Sequence, residues 1–196
     1  MKTTAITLQL IAMGVLTTAA WAQTPAEQAQ QRDVNQQQRI EQGLQSGQLS
    51  TKEAGSLERQ EKHVDNMEAR DLKNGSMSAG EQARLNAAQN KVSSDVYADK
   101  HNGVTGNPSS ASSQRMQSDV QRNVNQQQRI QNGMDKGSLT NREAGSLERG
   151  QVRVNGREAN AAANGHVGAA EQRGIQRSEN RQSRRVYRKK HNAVTK

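Results

Sequence analysis

The stretch Ser46–Arg59, SGQLSTKEAGSLER, returns ninety residues later as Lys136–Arg149, KGSLTNREAGSLER. Each version spells a helix stop followed by a helix start. Gly47 and Gly137 suit the left-handed position that ends a helix. Ser50 and Thr140 suit the N-cap of the next, and Glu53 and Glu143, three residues on, complete a capping box by accepting from the cap's own N–H. Leu49 and Leu139, just before the cap, can staple onto the first turn. A weaker version follows 28 residues later, with Gly75, Ser78 and Glu81 in one place and Gly165, Gly168 and Glu171 in the other. Four stop–start signals cut the chain into helical hairpins.

The repetition is wider than the quoted stretch. Gln31–Thr105 aligns with Gln121–Thr195 without a gap, with 36 identities in 75 positions. This is an internal duplication. Each copy is expected to give three helices, roughly 27–45, 51–73 and 79–102 in the first. Leu85, Ala88, Val92 and Val96 form one apolar stripe at helical spacing, and Leu57, Val64 and Met67 another. Gly43, Gly55, Gly133 and Gly145 fall inside or near helices, where they imply close packing. The expected class is therefore all-α, with two tandem repeats of about 75 residues, each of about three short helices, and partly disordered ends.

The expected organisation is a signal peptide over 1–22, a first repeat over 23–105, a flexible linker over 106–114 and a second repeat over 115–196. The opening MKTTAITLQLIAMGVLTTAAWAQ has a cationic start, an apolar run from Ala5 to Leu16 and an A-x-A cleavage site ending at Ala22. It predicts Sec-type export to the periplasm or beyond, with no membrane span left after cleavage. The only prolines, Pro25 and Pro108, stand outside the repeats. GNPSSASSQ, from Gly106 to Gln114, reads as the linker by composition.

Composition removes several function classes. The chain has no Cys, which excludes disulfides, thiolate metal sites and Cys nucleophiles. The processed chain would have no Trp and no Phe, only Tyr97 and Tyr187, and just 22 Val, Ile and Leu residues. Thin helical hairpins are expected rather than one thick core. No nucleophile–base set, phosphate-cradling glycine loop or HExxH is present, so no catalytic residue and no cofactor is assigned. Its carboxylates are read as caps and solvated faces.

Two features of the sequence bear on metal binding. The glycine–apolar–hydroxyl–Glu spacing is also the back half of an EF-hand loop. The front half does not fit, because its third position is Leu44, Leu72, Met134 or Ala162, none of which offers a side-chain oxygen. Both copies end in Y-x-x-K-H-N-x-V-T, which sets His101 four residues after Tyr97 and His191 four after Tyr187. The simple reading is a clasp that packs Tyr under the helix end. His101 and His191 are also weak candidates for a transition-metal site, with Asp95 or Asp99 in the first copy. The second copy has Arg185 and Lys189 there.

Charge separates the copies. Residues 23–108 carry 10 Lys/Arg and 12 Asp/Glu, and residues 109–196 carry 17 and 7. Arg173, Arg177, Arg181, Arg184 and Arg188 fall within about 80° of one helix face, a ridge about 22 Å long. Such a ridge suits repeated phosphates or carboxylates. It points to anionic polymers or a membrane surface: lipopolysaccharide, acidic exopolysaccharide or extracellular DNA. Self-association through the acidic copy of another molecule is a further option, as is a solubility face without a partner. The competing class is a periplasmic metal-ion-responsive or chaperone-like stress protein.

The runs V-N-Q-Q-Q-R-I, G-x-L-[S/T]-x-[K/R]-E-A-G-S-L-E-R and Y-x-x-K-H-N resemble a family of small exported proteobacterial proteins of uncharacterised function. The resemblance covers both copies. It implies a periplasmic or secreted Gram-negative protein and carries no activity and no catalytic residue.

Overall fold

The structure, a computed structural model, describes residues 23–192. The expected leader and its cleavage site lie outside them. The described residues form helices joined by short turns and connections, with no strand. Helix α1 spans Pro25–Ser46, α2 Thr51–Asp71, α3 Ala79–Lys100, α4 Ala111–Asp135, α5 Asn141–Ala161 and α6 Ala169–Lys190. Single 3-10 turns, Leu72–Asn74 and Ala162–Asn164, follow α2 and α5.

The caps set these boundaries. Ser50, Ser78 and Thr140 each accept from the backbone N–H of Glu53, Glu81 and Glu143, and each Glu accepts in return from the cap's N–H. Gly168 has no side chain to give, so only the return half forms there, Gly168 N–H to Glu171 at 2.8 Å. Gly47, Gly75, Gly137 and Gly165 all take left-handed backbone, with φ between 69° and 93°. The hairpin turns are tight because no side chain intervenes. A Cβ on Gly43 would lie 2.6 Å from Leu49 Cγ, and one on Gly133 2.5 Å from Leu139 Cδ1.

Two starts differ from the sequence expectation. Helix α1 begins at Pro25, because Thr24 and Glu27 form a fourth full capping box with Pro at the first helical position. The stretch expected as a linker through Gln114 is already helical from Ala111, because Ser110 caps α4 by accepting from Ser113 N–H at 3.1 Å. A serine-rich run reads as flexible by composition, yet serine is also a preferred N-cap. The remaining connection is docked rather than loose. Gly106 N–H donates to Gly47 O at 2.8 Å. A Cβ at Gly106 would sit 2.3 Å from Leu49 O.

Packing joins the halves. The most extensive helix–helix interfaces are α2 against α5 and α1 against α4. Helix α3 lies on α1 and α2, and α6 lies on α4 and α5. Residues expected to form two thin units thus share one interior. One apolar cluster combines Ile40, Leu44, Leu57 and Val96 with Met116 and Ile175, and a second combines Ile130, Leu139 and Val186 with Leu72. The α2–α5 contact is close. A Cβ on Gly55 would meet Ala162 Cβ at 2.5 Å, and one on Gly145 would meet Leu72 Cβ at 2.8 Å.

Gly55→Ala separates helix propensity from packing. Propensity alone would stabilise α2 by about 1 kcal/mol. The methyl would overpack the α2–α5 contact, which costs about 1–3 kcal/mol. Thermal denaturation should show a lower midpoint for the variant. A higher midpoint would contradict the close approach of Gly55 to Ala162.

Candidate functional site: a cationic face over a carboxyl-lined interior

The buried polar residues are the first surprise. Asp33, Glu58, Glu61, Asp65, Glu68, Asp119, Glu148, Glu158 and Glu179 are each at most 1% exposed, and no Lys or Arg is buried among the described residues. The sequence expectation puts the carboxylates on caps and solvated faces. The capping residues do behave so, but these nine lie inside. Ten Gln and Asn side chains are buried with them.

Amides link the acids across the halves. Gln30 Nε2 donates to Gln127 Oε1 at 2.6 Å, and Gln127 Nε2 reaches Glu148 Oε2 at 3.4 Å. Asn155 Nδ2 donates to Asp65 Oδ2 at 2.9 Å across the halves, and Asn123 Nδ2 to Glu158 Oε2 at 2.6 Å within the second. Within the first half, Gln89 Nε2 donates to Asp33 Oδ1 at 2.7 Å and Gln37 Nε2 to Glu58 Oε2 at 3.1 Å. Neither oxygen of Glu61 accepts a hydrogen bond. Among the described residues, the one ion pair that reaches these nine acids is Arg122 Nε to Glu179 Oε2 at 3.1 Å, within the second half.

An ionised carboxylate without a cation is costly to bury, so the interior favours the neutral acid. Burial raises Asp33 to about 6, Glu58 to about 7 and Asp119 to about 7. It raises Glu179 to about 8, with Asp119 adding to the effect. Burial, then neighbouring acids, push Glu61, Asp65, Glu68, Glu148 and Glu158 well above the ordinary carboxyl range. Among the described residues, no three His, Asp or Glu side chains converge as metal ligands would.

The expected arginine ridge lies on the solvent side of α6. Arg173, Arg177, Arg181, Arg184 and Arg188 are all exposed, while Ile175, Ser178, Glu179, Gln182 and Val186 face inward. Gln182, where the first copy has Val92, is accommodated by Gly150, where the first copy has Gln60. Its Nε2 donates to Leu147 O at 2.9 Å, in space that a Cβ at Gly150 would fill.

A second arginine row escaped the sequence reading. Arg149, Arg153 and Arg157 recur every four residues along α5, a spacing that could have revealed them. Burial, then Arg153, Arg149 and Arg188, lower the pKa of Arg185, whose Nη2 donates to Ser146 O at 2.9 Å. The matching residue in the first copy is Asp95, which pairs with Lys91 at 2.7 Å. The second copy thus lacks, at this position, the acid that pairs with a cation in the first.

The shared tail is laid out differently from the expected clasp. Tyr97 and Tyr187 are 62% and 58% exposed, so neither packs under a helix end. Instead the rings of His101 and His191 stack on them at centroid distances of 4.2 Å, and each Nδ1 lies 2.7 Å from the Tyr carbonyl oxygen. Local stacking and the helix-end carbonyl satisfy the imidazole on the surface. The neighbouring asparagines do the clasping. Asn102 Nδ2 donates to Glu53 Oε1 at 2.7 Å, and Asn192 Nδ2 to Glu143 Oε1 at 2.6 Å. Glu53 and Glu143, which would hold calcium in an EF-hand, thereby serve a cap with one oxygen and a helix end with the other.

Compared with known family models, curated proteins and solved structures, the chain matches none.

The interior fixes a direction for pH dependence. Between the ordinary carboxyl range and about pH 7, the folded chain holds protons that the unfolded chain has released. Stability is therefore full in acid and falls as pH rises, by about 1.4 kcal/mol per unit for each such group. Thermal midpoints should be highest near pH 4–5 and decline toward pH 8. Glu61→Gln installs what the second copy carries at Gln151. It should leave the midpoint unchanged in acid and raise it at pH 8 by several degrees, about 2–4 °C per kcal/mol. Equal midpoints across this range for the unaltered chain would contradict the buried acids.

Proposed function

We propose that this chain is a non-enzymatic exported protein of two helical repeats that binds anionic polymers of the envelope or extracellular space through its basic second repeat. The observation that carries the reading is the arginine face of α6. Its five guanidinium groups are exposed in one row, and none is ion-paired among the described residues. Arg149, Arg153 and Arg157 of α5 widen the row into a band. Arginine on a surface that could have used any polar residue fits phosphate or carboxylate recognition, because the guanidinium offers paired donors. Stacking on single-stranded bases has little support, since Tyr187 stands alone there.

The leader-like N-terminus supports targets outside the cytoplasm, such as lipopolysaccharide, acidic exopolysaccharide and extracellular DNA. The resemblance to small exported proteobacterial proteins is consistent with that setting. No helix among the described residues is long and apolar enough to cross a membrane, so contact with an envelope surface would be made from outside it. Internal duplication gives the arrangement its logic: both copies keep the caps and seam, and one of them was recharged.

Binding of the processed chain to lipopolysaccharide, polygalacturonate and duplex DNA, titrated over salt, tests the proposal. Affinity for at least one polymer should fall steeply between low and moderate salt. Changing Arg173, Arg177 and Arg181 together to Ala should weaken it by about tenfold or more. An affinity indifferent to both salt and these changes would remove the ridge from the function.

A further inference from the structure

Beside the ridge, α5 and α6 are separated by a groove of about 450 Å³. Its walls carry Arg153 and Arg157 from α5, Arg181 from α6 and Lys62 from α2. No carboxylate lines it, and none of the four cations is ion-paired among the described residues. Glu171, in the depression that continues the groove past Arg157, is committed to the Gly168 N–H. The acids next in sequence to Lys62 and Arg157, Glu61 and Glu158, are buried and favour the neutral form. The four positive charges thus face a concave space with nothing to neutralise them.

The groove is absent from the sequence logic of the first copy. Its floor is Gly156, where the first copy has Asn66; a Cβ there would lie 3.3 Å from Lys62 Cδ. Arg157 stands where the first copy has Met67, and Arg153 where it has His63. Met67 is packed against the apolar core. Relative to the first copy, the second has no side chain at the Gly156 position and arginine at positions 153 and 157. A solubility face needs charge but has no use for a cavity among the charges.

We propose that this groove is a discrete site for a compact, multiply charged phosphate group, of the phosphomonoester or diphosphate class. Four cations lining one groove suit a tetrahedral oxyanion with two or more charges better than a single uronate carboxylate, because arginine pairs its donors with neighbouring phosphate oxygens. The site deepens the polyanion reading and rests on it. The ridge supplies extended, salt-sensitive attraction, and the groove selects polymers or headgroups that bear terminal phosphate.

Calorimetry of the processed full chain with inorganic pyrophosphate tests the site, with glucuronate as the carboxylate control. One pyrophosphate should bind per chain, and glucuronate at least tenfold more weakly. Gly156→Asn leaves every charge in place and fills the floor with the first copy's own residue; it should weaken pyrophosphate at least tenfold. Arg157→Met, also a first-copy residue, should do the same and guards against an effect of Asn on helix α5. The quadruple change of Arg173, Arg177, Arg184 and Arg188 to Ala removes the ridge outside the groove. It should weaken long polymers while sparing pyrophosphate. Vesicles of phosphatidylcholine with and without phosphatidic acid show whether the phosphate is taken from a lipid headgroup or from solution. Pyrophosphate binding that survives both groove variants, or is lost only with the ridge, overturns the site and leaves the ridge reading standing. Loss of polymer binding in the ridge variant, with pyrophosphate untouched, separates the two.

Discussion

The structure depends on burying acid without burying base. Nine carboxyl side chains lie in the interior, answered mainly by amides and by one another. Water would stabilise these groups as anions, whereas the interior tolerates them as neutral hydrogen-bonding acids. This solves a problem set by composition. With 22 Val, Ile and Leu residues over 23–196 and no Phe, apolar matter suffices for two clusters but not for a continuous core. Polar side chains fill the remainder, and their directional bonds fix which helix faces which. Asn155 to Asp65 and Gln30 to Gln127 both cross between the halves.

Boundaries were the most legible part of the fold. Glycine stops and hydroxyl caps are local chemistry, so the turns after α1, α2, α4 and α5 follow from a few residues each. Thr24 and Ser110 escaped because one follows the expected leader and the other sits in a run that looks like a linker. The association of the halves could not be read from caps. It depends on α2 and α5, whose inward positions 58, 61, 65, 68 and 148, 151, 155, 158 are acid or amide and so resemble a solvated face. A trace was present nonetheless. These positions recur at three- and four-residue steps, and Arg59, Lys62, Arg149 and Arg153 all fall off that stripe. A polar face that contains acids and amides but no base is a candidate for burial.

The candidate site divides in the same way. The ridge on α6 was visible because five arginines at regular steps need no tertiary information. The groove needs two helices and a lysine from a third, and its floor is a missing side chain. Glycine at position 156 looks like a weak point in a helix until α2 brings Lys62 against it.

The duplicated seam also bears on why the two copies share a chain. Helices α2 and α5 meet through equivalent positions, so two molecules of a single repeat could in principle form the same contact. Such a dimer would be bound by its own symmetry: any charge gained on one subunit would be gained on its twin. Residues 109–196 carry a net +10, and a dimer of that unit would set +10 beside +10, whereas residues 23–108 carry −2. Joining the copies covalently through the short connection at Gly106–Ser110 breaks that rule. One copy can remain a near-neutral counterweight while the other becomes a polycation, and the pair still assembles one to one.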